Sequence, residues 1–124
     1  MTTLTKSTPI MYGISPKNCD TVKKARKWLE ANGHTVPFHD FRVDGLAAEQ
    51  LNDWVERIGF EPLLNKKSTS FRALTDEQKQ DIDATKAVAL MLDNPTLIKR
   101  PVLVKGDAVY TGFNDKLYSE VFGQ

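Results

Sequence analysis

A second cysteine is missing from this chain of 124 residues. Cys19 stands alone, which excludes an intramolecular disulfide, a Cys-x-x-Cys dithiol and a cysteine-based structural zinc site. One free thiol suits a reducing compartment, and the expected localisation is cytoplasmic. Histidine is scarce too: His34 and His39 lack partners at metal-ligand spacing, so no metal is expected. No apolar run approaches the ~20 residues that span a bilayer, so no membrane partner is expected. Met1 to Thr8 lack the apolar core of a signal peptide and read as a disordered leader. Charge of one sign is not in excess, at 17 basic against 16 acidic residues. That balance gives no ground for direct nucleic-acid binding. Repeats and low-complexity segments are absent, and the length fits one domain, residues 9–124.

What is present is organised around Tyr12 to Lys24. Pro9-Ile10-Met11-Tyr12 reads as a strand, and Gly13 to Asn18 as a loop rich in turn formers. A helical pattern then runs from about Asp20 to Asn32. Cys19 therefore falls where a strand turns into a helix. Helix N-termini carry free N–H groups and partial positive charge, which favour a thiolate, the nucleophilic form of cysteine. A lone cysteine is more often a small buried hydrophobe. Here its neighbours are polar: Lys17, Asn18, Asp20, Lys23, Lys24 and Arg26.

Val22, Ala25 and Leu29 form an apolar stripe at helical spacing, and Gly33 follows as a stop. His34 to Arg42 reads as a second strand through Val36 and Phe38, with Pro37 pushing it toward an edge. A helix over Ala47–Ile58 is predicted by Leu51, Trp54, Val55 and Ile58. Phe60 to Phe71 reads as irregular. Thr75 to Gln78 is a capping box opening a short helix to about Asp83. The next helix, about Thr85 to Leu92, carries Val88, Ala89, Met91 and Leu92 and stops at Asn94-Pro95. Pro101 to Val104, Lys105-Gly106-Asp107 and Ala108 to Thr111 form a hairpin. Asn114 caps a last helix with Leu117, Tyr118, Val121 and Phe122. The order βαβ, helices only, then ββα predicts an α/β fold. It is a thioredoxin-like (glutaredoxin-type) mixed sheet, formed by about residues 9–44 and 98–122, with a helical insertion over about 45–97.

Besides Cys19, three places could contribute to a site. Arg100-Pro101 precedes the buried strand, and an X-Pro bond there tolerates the cis form. In a thioredoxin-type sheet Arg100 either faces Cys19, favouring its thiolate or holding an anionic substrate, or is a solvated arginine. Lys17 and Asn18 in the cysteine loop are suited to an anion. Asn65-Lys66-Lys67 in the insertion reads most simply as a solvated loop. A phosphatase loop is excluded, because the arginine position of Cys-x5-Arg is occupied by Ala25. With no second thiol in the chain, the resolving thiol must come from another molecule.

The chain resembles the arsenate reductase-like, thioredoxin-fold family that includes the Spx regulators, and within it the branch called YffB. The resemblance is carried by Tyr12-Gly13-Ile14, the run Lys17 to Arg26, Phe38 to Leu46, Leu63-Leu64-Asn65 and Ile98-Lys99-Arg100-Pro101. It implies a glutathione-dependent thiol-disulfide reductase with a monothiol mechanism. Cys19 and Arg100 are then the catalytic residues, and Lys17, Asn18, Arg100, Pro101 and Asn65 bind substrate or glutathione. The implied partner is glutathione, as co-substrate, or a glutaredoxin, and the chain is expected to be a monomer. Arsenate reductases of the family have Gly-Thr-Ser after the cysteine and an arginine after the Leu-Leu pair; here stand Asp20-Thr21-Val22 and Asn65. A further arginine near the C-terminal hairpin has no counterpart. Arsenate is therefore a poor expected substrate. The alternative is a non-enzymatic Spx-like module with RNA polymerase as partner.

Overall fold

The structure, a computed structural model, describes residues 9–14 and 19–123. These fall into two compact units: one runs up to Asp40 and resumes at Arg100, and the other is Phe41–Lys99.

The first unit is built on a four-stranded sheet. Its strands are β1 (Ile10–Gly13), β2 (Phe38–Asp40), β3 (Val102–Lys105) and β4 (Ala108–Thr111), in the order β2-β1-β3-β4. β1 runs parallel to β2 and antiparallel to β3, and β3 and β4 form the hairpin. This is the mixed sheet of a thioredoxin-like α/β fold. Gly106 makes the hairpin turn at a φ of 62°, which suits a residue without a β-carbon.

Two helices of this unit, α1 (Asp20–Ala31) and α6 (Asp115–Val121), cover one sheet face. Met11 and Leu103 are direct cross-strand partners and point the same way. Val22, Ala25 and Leu29 from α1 and Tyr118 from α6 close over them as one buried cluster. The predicted stripe of α1 is thus the buried one. Asn114 caps α6, its side chain accepting from the Leu117 N–H at 2.7 Å.

β2 is shorter than the sequence pattern suggests. Val36 precedes the strand, and Phe38, not Val36, stands in register beside Met11. Pro37 has no N–H to give a ladder, so its carbonyl alone joins β1, accepting from the Met11 N–H at 2.9 Å. Val36 is buried in the core all the same.

The second unit holds α2 (Ala48–Ile58), α3 (Thr69–Arg72), α4 (Asp76–Lys79), α5 (Ala84–Asp93) and a 3-10 turn at Pro95–Leu97. Leu51 and Trp54 of α2 are buried, and Phe41 lies 6.3 Å from the Trp54 ring, centroid to centroid. α3 falls inside the stretch read as irregular. It starts because Ser68 accepts from the Phe71 N–H at 3.0 Å. The Thr75 capping box opens α4, but the helix ends at Lys79 rather than near Asp83. Asp81 takes a φ of 49° there, and Asp83 caps α5 instead, accepting from the Lys86 N–H at 2.8 Å. The buried face of α5 is Ala87, Val88 and Met91; Ala89 is exposed and Leu92 only half-buried. No helix among the described residues is long and apolar enough to cross a membrane.

Tyr118 carries a testable consequence of this packing. Its ring meets Phe113 and Trp28 edge-on, at 4.7 and 5.6 Å, and its buried hydroxyl has no hydrogen-bond partner among the described residues. Burial pushes the phenol well above the ordinary tyrosine value, against the opposing pull of the Arg26 charge. Removing an unpaired buried hydroxyl loses no hydrogen bond, so Tyr118→Phe should be within about 1 kcal/mol of the parent at pH 7, or more stable. Above about pH 10 the unfolded phenol ionises while the folded one keeps its proton. The raised folded value means stability is present below that pH and lost as pH rises. Urea midpoints of parent and Tyr118→Phe should therefore diverge above pH 10, with the variant gaining. A pH-independent difference overturns this.

Candidate active site

Cys19 occupies the N-cap position of α1, in extended conformation at φ −148° and ψ 110°. Its carbonyl accepts the first helical bond, from the Lys23 N–H at 3.0 Å. Its side chain makes no cap hydrogen bond. The thiol is free, half-buried, and packed against the edge of the α1–sheet core. A thiol so placed sits beside the unpaired first N–H groups of a 12-residue helix, while Asp20 in the first turn brings an opposing negative charge.

Arg100 lies in the same unit, at the sheet corner. Tyr12 pairs with Val102 across β1 and β3, so one further step in register puts Pro101 opposite Gly13. The Arg100–Pro101 bond is cis. Pro101 is buried, and its carbonyl accepts from the Gly112 N–H at 2.9 Å. Arg100 is half-buried, and its guanidinium has no hydrogen bond or ion pair with a described residue.

Gly13 connects these parts, a role the sequence reading did not find. A β-carbon built on Gly13 would lie 3.2 Å from Val22 Cγ2 in the first turn of α1, 3.6 Å from the Phe38 ring and 3.8 Å from Arg100 Cβ. The end of β1, the start of α1 and Arg100 thus converge on one backbone position. The available signal was a glycine closing a strand just before the cysteine loop.

Other candidates fare differently. Lys17 and Asn18 lie outside the described residues. Arg26 turns away toward the α1–β2 connection, where it donates to the Val36 carbonyl at 2.6 Å and covers the Phe38 ring at 5.6 Å. Lys23 and Lys24 are exposed. Asn65 belongs to the other unit, and its side-chain carbonyl accepts from the Lys67 N–H at 3.1 Å, shaping its own loop. His34 is stacked between Trp28 and Phe122, and His39 lies against Tyr12. Among the described residues no group of His, Cys, Asp or Glu is arranged to hold a metal ion.

Comparison with known proteins adds a lineage to this geometry. The family model described as ArsC family matches residues 14–121. A Haemophilus influenzae protein described as uncharacterized is 44% identical over 112 residues, 90% of this chain and 96% of that one. The Lactococcus lactis protein named Global transcriptional regulator Spx 2 is 23% identical over 80% of this chain and 76% of its own. Among solved structures, the protein named YffB superposes with a TM-score of 0.86 at 42% identity, covering 91% of this chain and 97% of that one.

Proposed function

The chain belongs to the ArsC family, with an arsenate reductase-like fold, and on that footing we propose that it is a glutathione-dependent thiol-disulfide reductase using one cysteine. The observation that carries this reading is Cys19 itself: half-buried, uncapped, at the N-terminus of α1, and the sole thiol of the chain. The Cys19 thiolate attacks the glutathionyl sulfur of a mixed disulfide. The S–S bond breaks, the substrate leaves as a thiolate that takes a proton, and Cys19 is left bonded to glutathione. A second glutathione thiolate attacks that glutathionyl sulfur, releasing oxidised glutathione and the Cys19 thiolate. The balance is one glutathione thiol oxidised for one substrate sulfur reduced to a thiol, the glutathionyl group of the mixed disulfide leaving as half of the oxidised glutathione. Arg100 holds a glutathione carboxylate. Lys17, Asn18, Pro101 and Asn65 are assigned to substrate contact by the family resemblance. The protein works as a monomer, in the reducing cytoplasm.

Incubation with oxidised glutathione tests this: mass spectrometry of the intact protein should find one glutathione adduct, mapped to Cys19 and released by excess glutathione. No adduct, or one that glutathione fails to release, sinks the reading. The relative named Spx favours a second reading, a non-enzymatic module that binds RNA polymerase. Such a module co-purifies with the polymerase and turns over no model disulfide.

Two results follow. With Arg100→Ala, the KM for a glutathionylated substrate should rise by roughly fivefold with kcat changed less, because a guanidinium that grips a carboxylate acts in binding. Equal KM values in parent and variant remove Arg100 from substrate binding. Glutathione-coupled arsenate reduction should stay at background, because a multiply charged oxyanion needs several fixed cationic donors and Asn65 supplies none. Turnover that disappears in Cys19→Ser reverses that expectation.

A further inference from the structure

Arg26 differs from the other charged side chains of α1. Asp20, Lys23, Lys24, Lys27 and Glu30 are exposed, whereas Arg26 is half-buried beside the stripe Val22, Ala25 and Leu29. It is tied to two other elements. Its Nη1 donates to the Val36 carbonyl at 2.6 Å, and its guanidinium covers the Phe38 ring at 5.6 Å. Its charge also reaches the buried Tyr118 phenol of α6. One side chain of α1 thus grips the chain on both sides of Pro37.

The Val36 carbonyl makes that grip specific. Val36 is buried and lies outside the strand ladder, and Arg26 is the partner its carbonyl has among the described residues. Leaving a buried carbonyl unpaired is costly, and a hydrogen bond from a charged donor is short and directional. Burial of Val22, Ala25 and Leu29 stabilises α1 without direction, and a small slide of the helix along the sheet keeps all three buried. Arg26 fixes what that burial leaves loose, the placement of α1 over the segment entering β2.

This placement bears on the thiol through the Phe38 ring. The ring beneath the guanidinium borders a β-carbon built on Gly13 at 3.6 Å; Val22 Cγ2 and Arg100 Cβ border the same point at 3.2 and 3.8 Å. Val22 belongs to the first turn of α1, which Cys19 caps. Fixing α1 against Phe38 therefore also fixes Cys19 against Arg100.

We propose that Arg26 is a positioning residue, which holds α1 to Val36 and Phe38 and so sets Cys19 against the Arg100 corner where a glutathionyl disulfide docks. The proposal rests on the reading of Cys19 as the nucleophile. Two rates test it, each measured where urea curves show the protein folded. Alkylation of Cys19 by iodoacetamide needs no docking. Attack of the Cys19 thiolate on one sulfur of oxidised glutathione, which breaks the S–S bond and releases one glutathione thiolate, does need it. In Arg26→Met the attack on oxidised glutathione should slow by about tenfold or more, and alkylation should stay within about twofold, because a small misplacement is costly where a docked geometry must be met. Arg26→Lys keeps the charge and one donor for the Val36 carbonyl, and should react with oxidised glutathione within about threefold of the parent. Arg26→Gln, uncharged and shorter, should show the same split as Arg26→Met and keeps the test decisive if the methionine variant does not fold. Equal slowing of both rates would make the effect one of thiol reactivity, and unchanged rates with a lower urea midpoint would make Arg26 purely structural. Either result overturns the proposal, as does a lysine variant no faster than the methionine one. A parent that forms no glutathione adduct overturns the reading of Cys19 itself, so the parent alone tells the two failures apart.

Discussion

Cys19→Ser should abolish disulfide turnover with glutathione, lowering kcat/KM by at least about three orders of magnitude. A serine hydroxyl stays protonated at neutral pH and forms no disulfide, and the chain holds no other thiol to substitute for it. The fold should not register the change. Cys19 is only half-buried, and its side chain makes no cap bond. Serine is moreover a favoured N-cap residue, so the urea midpoint should hold or rise. Steady-state assay with a glutathionylated model substrate, paired with urea unfolding, reads both effects. Full activity in the variant removes Cys19 from the chemistry; equal loss of activity and stability makes its role structural.

Gly13→Val should cost about 2–3 kcal/mol of stability, in the range of overpacked cores. The β-carbon alone would come within 3.2 Å of Val22 Cγ2, a distance that a few tenths of an ångström of movement relieves. Gly13→Ala is therefore expected within about 1 kcal/mol of the parent, since alanine also regains strand propensity over glycine. Valine adds two methyl groups to a position already bounded by Val22, the Phe38 ring and Arg100 Cβ. Relief then requires moving the first turn of α1, and Cys19 caps that turn. The rate of Cys19 alkylation should change along with stability in Gly13→Val and stay near the parent in Gly13→Ala. Equal urea midpoints for Val and Ala would show that the corner has room the geometry does not suggest.

Much of the fold was legible because it depends on near neighbours. Val22, Ala25 and Leu29 announce the buried face of α1 by spacing alone. The caps at Thr75 and Asn114 need only a side chain and an amide three residues on, and both are in place. The β3–β4 hairpin needs only its glycine turn. The failures have two origins, one tertiary and one local. Thr85 to Leu92 offers several apolar positions, and burial fell on Ala87 rather than Ala89 because the neighbouring elements, not the helix, choose the face. Asp83 looked like the end of one helix and proved to be the cap of the next, since an aspartate can serve either pattern.

By itself, then, the sequence determined the fold class and the placement of the chain's only thiol at a strand-to-helix junction. Those are properties of composition and of spacings within a few residues, where propensity and capping act. Tertiary structure alone decided two things. It brought Arg100 and the first turn of α1 to the backbone of Gly13. It turned Arg26 away to the Val36 carbonyl. Each joins residues from segments apart in the chain, through strand register or core packing, and no local pattern encodes which distant partner closes such a contact.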